Sequence, residues 1–360
     1  MKTKLMSRMV MRGVLLQAAC IAICCRLLAG APDTALQRAI DLYNAGNYAQ
    51  SIELLKSRLP AAKDKRTEAV VYNNLGNNYS QVGNVVEALA AYQQAAKIAY
   101  AAGDLRISAR AEKNIGALYS DSKDFERALR QFDKAEAIAR STGDTPVLAD
   151  CANNRGVIYE QQNNFEKALQ SYEAAMELYD ALRQEDRLGL LYNNLGVVYK
   201  QMKQYDKAID YYSQSLALSE KLGDKYLAAA NLVNMGNVYE MTGDYANAIA
   251  LNRRGLQLAQ ELQATEIVVD VYANLAEEYA KAGKYDSAYG LHKLHTALKD
   301  SVMNTERARM MAEMQAKYDT ELREKQALQQ RQSKLMIVGY GAGLAFTALV
   351  LYLTLKGRRK

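Results

Sequence analysis

The residues of this chain whose type and spacing could do chemistry are asparagines. Six of them recur at an interval of 40 residues, and we call this set the asparagine ladder: Asn74, Asn114, Asn154, Asn194, Asn234 and Asn274. A primary amide donates and accepts hydrogen bonds at once, so a row of amides suits an extended main chain of any sequence. Asparagine is a mediocre helix former, so its repeated use within helices needs a reason. Two explanations stay open: the amides bind a partner, or each bonds its neighbour in the next repeat and fixes the stacking.

The two histidines, His292 and His295, are the other candidates for chemistry. At this spacing they could share a metal ion, but no cysteine and no cluster of carboxylates accompanies them at ligand spacing. They occupy the positions that Tyr92 and Ala95 hold in an earlier repeat, which favours a packing role in a terminal, capping repeat. The sequence offers no arrangement of nucleophile, acid and base. We therefore expect no metal, no cofactor and no enzymatic activity.

The segments that position the ladder repeat with the same period. One copy of the pattern consists of Tyr72, Leu75, Gly76, Tyr79, Ala88 and Tyr92. Residues 72, 75 and 79 share one helical face, because they are spaced by three and four. This order of large, small and aromatic residues resembles the tetratricopeptide repeat. The resemblance implies an all-α fold, a right-handed superhelical solenoid of about seven helical hairpins over residues 33–300.

Small and aromatic positions have predicted roles within the repeat. Gly76 and Ala88 are small where two helices must approach closely, and Tyr92 and its equivalents fill the gap between one hairpin and the next. Turns within hairpins are predicted at Gly83-Asn84, Lys123-Asp124, Asn163-Asn164, Lys203-Gln204, Gly243-Asp244 and Gly283-Lys284. Turns between hairpins are predicted at Gly103-Asp104, Gly143-Asp144 and Gly223-Asp224.

The resemblance also implies where a partner binds. In the tetratricopeptide family the ladder position faces the concave surface, and peptide-binding members such as the sugar transferase for nuclear proteins and kinesin light chain hold a peptide backbone with asparagines there. We add four neighbouring asparagines to the candidate site: Asn77, Asn153, Asn193 and Asn237. The eighteen residues four before, three after and seven after each ladder position include two basic and four acidic side chains. A nucleic-acid groove needs a basic stripe, so we expect a peptide or protein partner and no nucleic acid.

The net charge of +6 belongs to the two ends of the chain. Residues 1–31 and 335–360 hold nine basic and no acidic residues, which leaves 37 basic against 40 acidic residues in the body. Residues 1–31 combine a charged start, an apolar run and small residues, the layout of a secretory signal peptide. An uncleaved anchor is the alternative, because Arg26 and Pro32 make a poor cleavage context.

Residues 335–355 are predicted to form a transmembrane helix. The 21 residues between Leu335 and Leu355, both included, carry no charge and would span about 31 Å, which matches a bilayer core. The basic tail, residues 356–360, should stay cytoplasmic. Gly339 and Gly343 form a Gly-x-x-x-Gly pair that could support self-association of the membrane helix, or could reflect membrane composition alone.

Residues 301–334 are predicted to form a helical stalk, with weak support for a coiled coil. Its segment 313–321 resembles a junction in bacterial membrane regulators whose exported tetratricopeptide sensor precedes a stalk, a membrane helix and a cytoplasmic output. Only five residues follow residue 355, so we expect no output domain. We expect a single-pass protein of the bacterial cytoplasmic membrane with its repeats on the periplasmic side.

Two functions remain after an enzyme is set aside. The first is a membrane-anchored scaffold that binds a peptide or protein partner in its concave groove. The second is the sensing half of a signalling system, which passes its signal through stalk and membrane helix to a separate output partner. The absence of an output domain favours the scaffold.

Overall fold

The computed structural model describes residues 34–62 and 64–304, which form helices joined by short turns. The predicted signal peptide, membrane helix and basic tail lie outside the described residues, as does all of the predicted stalk except residues 301–304. Within the described part of the chain, no helix is both long and apolar enough to cross a bilayer.

The helices pair into hairpins, and we call the first helix of each hairpin the A helix and the second the B helix. The chain divides into two units at Leu262, and each is described by itself. The described residues of the first unit form six hairpins: α1 Thr34–Asn44, α2 Tyr48–Arg58, α3 Lys65–Gln81, α4 Val85–Ala101, α5 Leu105–Asp121, α6 Phe125–Thr142, α7 Thr145–Gln161, α8 Phe165–Ala181, α9 Glu185–Gln201, α10 Tyr205–Leu222, α11 Lys225–Met241 and α12 Tyr245–Glu261. Those of the second unit form one: α13 Thr265–Lys281 and α14, residues 285–304. The prediction of an all-α array of helical hairpins is confirmed.

The turns lie where the sequence predicts them. A residue with a left-handed backbone ends the first helix of the hairpin, as at Gly83, where φ is 77°. Lys123 takes the same conformation with φ of 58° although it carries a side chain. The next residue then caps the following helix: Asp124 accepts a hydrogen bond from the backbone N–H of Arg127 at 3.1 Å.

Glycine and a larger side chain fit together inside the five hairpins from α3–α4 to α11–α12. A Cβ built on Gly156 would lie 2.4 Å from the ring of Tyr172, and one on Gly116 would lie 2.6 Å from the ring of Phe132. Real Cβ atoms do not approach so closely, so only glycine permits this separation of the A and B helices. The predicted close approach is confirmed.

The same rings connect successive hairpins of the first unit. The ring of Tyr172 is fully buried in a cluster with Leu191, Leu195 and Val198 of the next A helix, α9. Because each of the four hairpins from α3–α4 to α9–α10 contributes one such ring to its successor, the hairpins share continuous hydrophobic contacts from α3 to α11. The predicted role of these side chains between hairpins is confirmed.

The second unit corrects the expectation for the histidines. His292 is exposed on α14 and does not take the buried place that Tyr92 has in its own hairpin. His295 is half-buried, and its Nδ1 lies 3.0 Å from the carbonyl oxygen of Val269 on α13. The two imidazole rings lie 6.4 Å apart. Gly290 lies at a register that is exposed in every repeat, and no atom lies within 4 Å of a Cβ built there.

Candidate partner-binding face of the A helices

The ladder asparagines occupy one register of the repeat. Each is the tenth residue of a 17-residue A helix, and each is half-buried. In the first unit the A helices from α3 to α11 contact one another in sequence, so five ladder positions form one row. Asn274 holds the same register on α13 of the second unit.

Asn114 connects two A helices through its side-chain amide. Its Nδ2 donates to Oδ1 of Asn73 and to Oδ1 of Asn77 on α3, both at 3.2 Å. The Oδ1 of Asn77 also accepts a hydrogen bond from the hydroxyl of Tyr92 at 2.8 Å, and burial raises the pKa of that hydroxyl. Asn77 and Asn114 therefore serve the stacking of hairpins, which is the alternative role that the sequence left open.

A second set of asparagine contacts connects the next hairpins. Asn194 donates to Oδ1 of Asn153 at 3.3 Å, and Asn193 donates to Oδ1 of Asn231 at 2.8 Å. The buried Asn231 donates in turn to the hydroxyl of Ser215 at 2.7 Å. Asn231 was not predicted as a site residue. It occupies the register of Val71 and Leu191, so a polar residue at an apolar packing position was the available signal.

Two ladder amides keep donors that the described part of the protein does not use. Asn154 accepts a hydrogen bond from Asn153 at 3.3 Å, but its own Nδ2 has no partner among the described residues. The side chain of Asn234 makes no hydrogen bond within the same part of the chain. Asn237 lies one turn further along α11 and is half-buried. The ladder thus combines amides that hold the repeats together with amides whose hydrogen-bonding groups are available.

An ion pair beside the ladder was missed by the sequence interpretation. Lys113, directly before a ladder position, reaches Oδ2 of Asp150 on α7 at 2.7 Å, and each side chain is 20% exposed. The hydroxyl of Tyr179 donates to Oδ1 of the same carboxylate at 2.8 Å. Burial opposes ionisation of Asp150, but the charge and hydrogen bond of Lys113 and the hydrogen bond of Tyr179 bring its pKa below the usual value. The signal was a lysine where other repeats have Asn73, Asn153 and Asn193.

The ends of two A helices meet at Glu160. Its carboxylate accepts from Gln201 of α9 at 3.0 Å and from the hydroxyl of Tyr172 at 3.2 Å. Burial raises the pKa of Glu160, while burial lowers the pKa of the neighbouring Lys200. Both groups are therefore held where ionisation is disfavoured, and the seam between α7 and α9 is polar.

Apolar side chains are also displayed in the predicted face. Leu190 lies four residues before Asn194 and is 45% exposed, and Met241 lies seven residues after Asn234 and is 57% exposed. Both basic side chains among these positions are paired: Arg110 lies 3.7 Å from the buried Asp144, and Lys281 of the second unit lies 2.8 Å from Glu277. The face therefore offers amides, exposed apolar groups and little unpaired positive charge. Within the described residues, no group of three or more histidine, cysteine or acidic side chains has the arrangement of a metal site.

The comparisons with known proteins agree with this geometry. Two sequence profiles described as tetratricopeptide repeat match the chain, one over residues 69–99 and the other over residues 107–181 and 187–261. Together they cover just over half of the 360 residues, so the chain belongs to the tetratricopeptide repeat family. No curated protein matches the sequence significantly.

Solved structures of the same fold include proteins from several sources. BtubC (BKLC) from P. vanneervenii is 24% identical, with a TM-score of 0.51 over 64% of this chain and 93% of that one. A Rap protein complexed with competence and sporulation factor is 17% identical, with a TM-score of 0.59 over 75% of each chain. The quorum sensor NprR from B. thuringiensis is 15% identical, with a TM-score of 0.52 over 78% of this chain and 92% of that one. These likenesses concern the fold.

Proposed function

We propose that this protein is a membrane-anchored tetratricopeptide scaffold that binds an extended peptide, or an extended segment of a protein partner, along the A helices. The ligand lies across the ladder, and its main chain exchanges hydrogen bonds with the side-chain amides. Exposed Leu190 and Met241 provide apolar contact for the ligand's side chains. Hydrogen bonds to the ligand's main chain do not depend on the ligand's sequence, whereas the apolar contacts select for a few of its side chains.

The single observation that carries this proposal is the unused hydrogen-bonding capacity of Asn154 and Asn234. A half-buried amide whose N–H groups make no hydrogen bond inside the described protein can form new hydrogen bonds with a partner that supplies acceptors. These two positions lie two repeats apart in the row, on α7 and α11. Helix α9, which carries Asn194, contacts both α7 and α11 and lies between them in the row. A ligand that reaches both Asn154 and Asn234 must therefore be extended.

The similarity to solved structures supports the same class of ligand. The Rap protein of similar fold is complexed with competence and sporulation factor. A fold of stacked helical hairpins thus has a surface suited to binding a partner, and the identity of 17% relates the two proteins by fold alone.

Membrane attachment and location form the second part of the proposal. The charge-free stretch of residues 335–355, followed by a basic tail, supports a single membrane helix with the tail in the cytoplasm. The leader-like residues 1–31 support export of the repeats to the periplasmic side. Both lie outside the described residues, and the sequence alone supports them.

A sensing role is the second candidate, favoured by the similarity in fold to the quorum sensor NprR. The two functions differ in what they need from the predicted stalk. Insertion of one residue near Lys334 would rotate a continuous helix by about 100°. A sensor would change its output with each added residue up to three, whereas a scaffold would tolerate every insertion.

The test is capture of partners by chemical crosslinking and affinity purification from native membranes. The wild-type chain is compared with the double variant Asn154→Ala/Asn234→Ala, which removes the two amides whose N–H groups make no hydrogen bond in the described protein. We expect a partner captured by the wild type to be lost from the variant, while helical content and thermal unfolding stay unchanged. Stability should change little, because the N–H groups of both amides make no hydrogen bond inside the described protein and the one bond lost, from Asn153 to Asn154, is long at 3.3 Å.

The matched control is Gln170→Ala/Gln214→Ala, which removes two exposed amides from the B helices α8 and α10. It should capture the same partners as the wild type. If both double variants retain every partner, the ladder is a stacking device and recognition does not involve the A-helix face.

A further inference from the structure

A crevice of 630 Å³ lies between α4, α5 and α6, away from the asparagine ladder. This volume falls within the range of protein sites for small ligands, about 300–1,000 Å³. None of the ladder asparagines lines it. The crevice is therefore a site separate from the proposed peptide-binding face, and it lies wholly within the first unit.

Two positions that are aromatic two repeats further on are occupied by polar side chains at this crevice. Glu112 holds the register of Tyr192, and Gln131 holds the register of Tyr211. Two repeats further on, those two tyrosines and Tyr199 fill the corresponding place, with rings stacked at 5.3 Å and tilted at 6.1 Å between centroids. Aromatic groups thus fit this type of gap, and of the three equivalent positions at the crevice only Tyr119 is aromatic.

Glu112 and Gln131 contribute acceptor oxygens to the crevice, beside the donors of Lys97 and Lys134. Glu112 is 5% exposed, and Lys134 bonds one of its two carboxylate oxygens. The Oε1 atom of Gln131 is buried and has no hydrogen-bond partner among the described residues. A buried acceptor without a donor is costly, so a ligand that brings an N–H group into the crevice would be favoured.

The remaining lining favours a flat aromatic body. Ile115 and Tyr119 supply apolar surface, and the guanidinium of Arg127 holds the ring of Tyr119 at 4.8 Å. Tyr100 contributes a second ring, which is 68% exposed. Lys97 and Lys134 also line the crevice, and lysine ammonium groups are attracted to the face of an aromatic ring.

We propose that this crevice binds the indole side chain of a tryptophan from a protein partner. Indole combines an aromatic body with a single N–H group that only donates, which matches acceptors among apolar walls and lysines. The sequence contains no tryptophan, so neither this chain nor a second copy of it can supply the group. A tryptophan that fills the crevice would therefore come from a different polypeptide.

The absence of tryptophan also makes the test direct. N-acetyltryptophanamide is the probe, and with excitation beyond the absorption of tyrosine its indole is the only emitter when it is mixed with the full-length chain in detergent. We expect a saturable shift of its emission to shorter wavelength. N-acetylphenylalaninamide, which has the aromatic body without the N–H donor, should compete about tenfold less well, the effect of one hydrogen bond.

Two variants separate loss of the site from loss of the fold. Glu112→Tyr restores the aromatic residue found at Tyr72 and Tyr192, and should abolish probe binding while thermal stability is kept or raised. Gln131→Leu removes the acceptor and should weaken binding about tenfold. Ser171→Leu is the matched control, because it makes a similar change at the same register of the next hairpin, and it should leave binding unchanged.

Equal competition by the phenylalanine analogue, or undiminished probe binding to folded Glu112→Tyr, would overturn the proposal. Absence of saturable binding to the wild type would do so as well. Because Glu112→Tyr does not alter a ladder asparagine, the two sites can fail separately. Loss of partners from the ladder variant with retained probe binding would leave this inference standing, and the reverse would leave the ladder standing.

Discussion

The ring of Tyr92 occupies the space that a side chain at Gly76 would need. A Cβ built on Gly76 would lie 2.5 Å from both Cδ1 and Cε1 of that ring. Gly76 is on α3 and Tyr92 is on α4, so the pair sets the distance between the two helices of one hairpin. Similar pairs recur in the next hairpins, and the fit of glycine to ring is therefore a property of the repeat.

Gly156→Ala is expected to destabilise the protein by about 1–3 kcal/mol, the usual cost of overpacking a core. Its Cβ would meet the fully buried ring of Tyr172, which has no space to move into. Gly290→Ala is the matched control, since nothing lies within 4 Å of a Cβ there and alanine favours a helix. Urea unfolding followed by circular dichroism measures both, and equal losses would contradict this account.

The hairpins could be predicted from the sequence because turn residues and packing residues recur at fixed positions in every repeat. A glycine such as Gly83 marks a turn, and the period of 40 residues repeats each turn and each packing position. The period also located turns without a glycine, such as those at Lys123 and Lys203. The turns at Arg183 and Gln263, with φ of 53° and 55°, were not predicted, although they lie 40 residues after Gly143 and Gly223, because the prediction for turns between hairpins relied on a glycine.

The candidate site was predictable in position but not in the use of its groups. Asn114 and Asn234 occupy equivalent positions of the repeat. The first bonds two side chains of the preceding A helix, α3, and the second bonds none within the described residues. The difference lies in the neighbours on the preceding A helix. Asn73 accepts a hydrogen bond from Asn114, whereas Asn193, its equivalent on α9, bonds Asn231 instead. Contacts between residues some 40 apart depend on side-chain geometry, which a repeat pattern does not contain.

Asn114→Ala should therefore lower stability, whereas Asn234→Ala should not. The first substitution removes two inter-helix hydrogen bonds, a loss of about 1–2 kcal/mol. The second removes no hydrogen bond seen in the described residues and replaces a poor helix former with a good one. The midpoints of urea unfolding test this difference, and a loss of stability in both variants would show that Asn234 also stacks the repeats.

Lys113→Met should destabilise the protein at neutral pH by about 2 kcal/mol, because it leaves the carboxylate of Asp150 largely buried without its cation. In the wild type the pKa of Asp150 is lowered on folding. Its contribution is therefore present above the unfolded value, about 3.9, and is lost as the pH falls through the folded pKa. The gap in stability between wild type and variant should close below about pH 4.

The double variant Lys113→Met/Asp150→Leu separates the missing cation from the missing packing. Replacing both charges with apolar groups should recover most of the lost stability. Unfolding measured between acid and neutral pH gives the comparison. A double variant as unstable as Lys113→Met would mean that the aliphatic stem of the lysine, and not its charge, stabilises the α5–α7 contact.

Cys151 should be inert in the folded protein and should report its opening. The side chain is fully buried on α7, and burial raises the pKa of the thiol to about 12, so the reactive thiolate is absent near pH 8. Alkylation by iodoacetamide, with the modified peptide quantified by mass spectrometry, should then follow the population of the unfolded state. Gly156→Ala should speed this labelling about tenfold for each 1.4 kcal/mol of stability lost, because opening limits access. Labelling at the rate of a free thiol without denaturant would contradict the buried position. A rate that ignores the Gly156 substitution would instead show that α7 opens locally, with the rest of the array still folded.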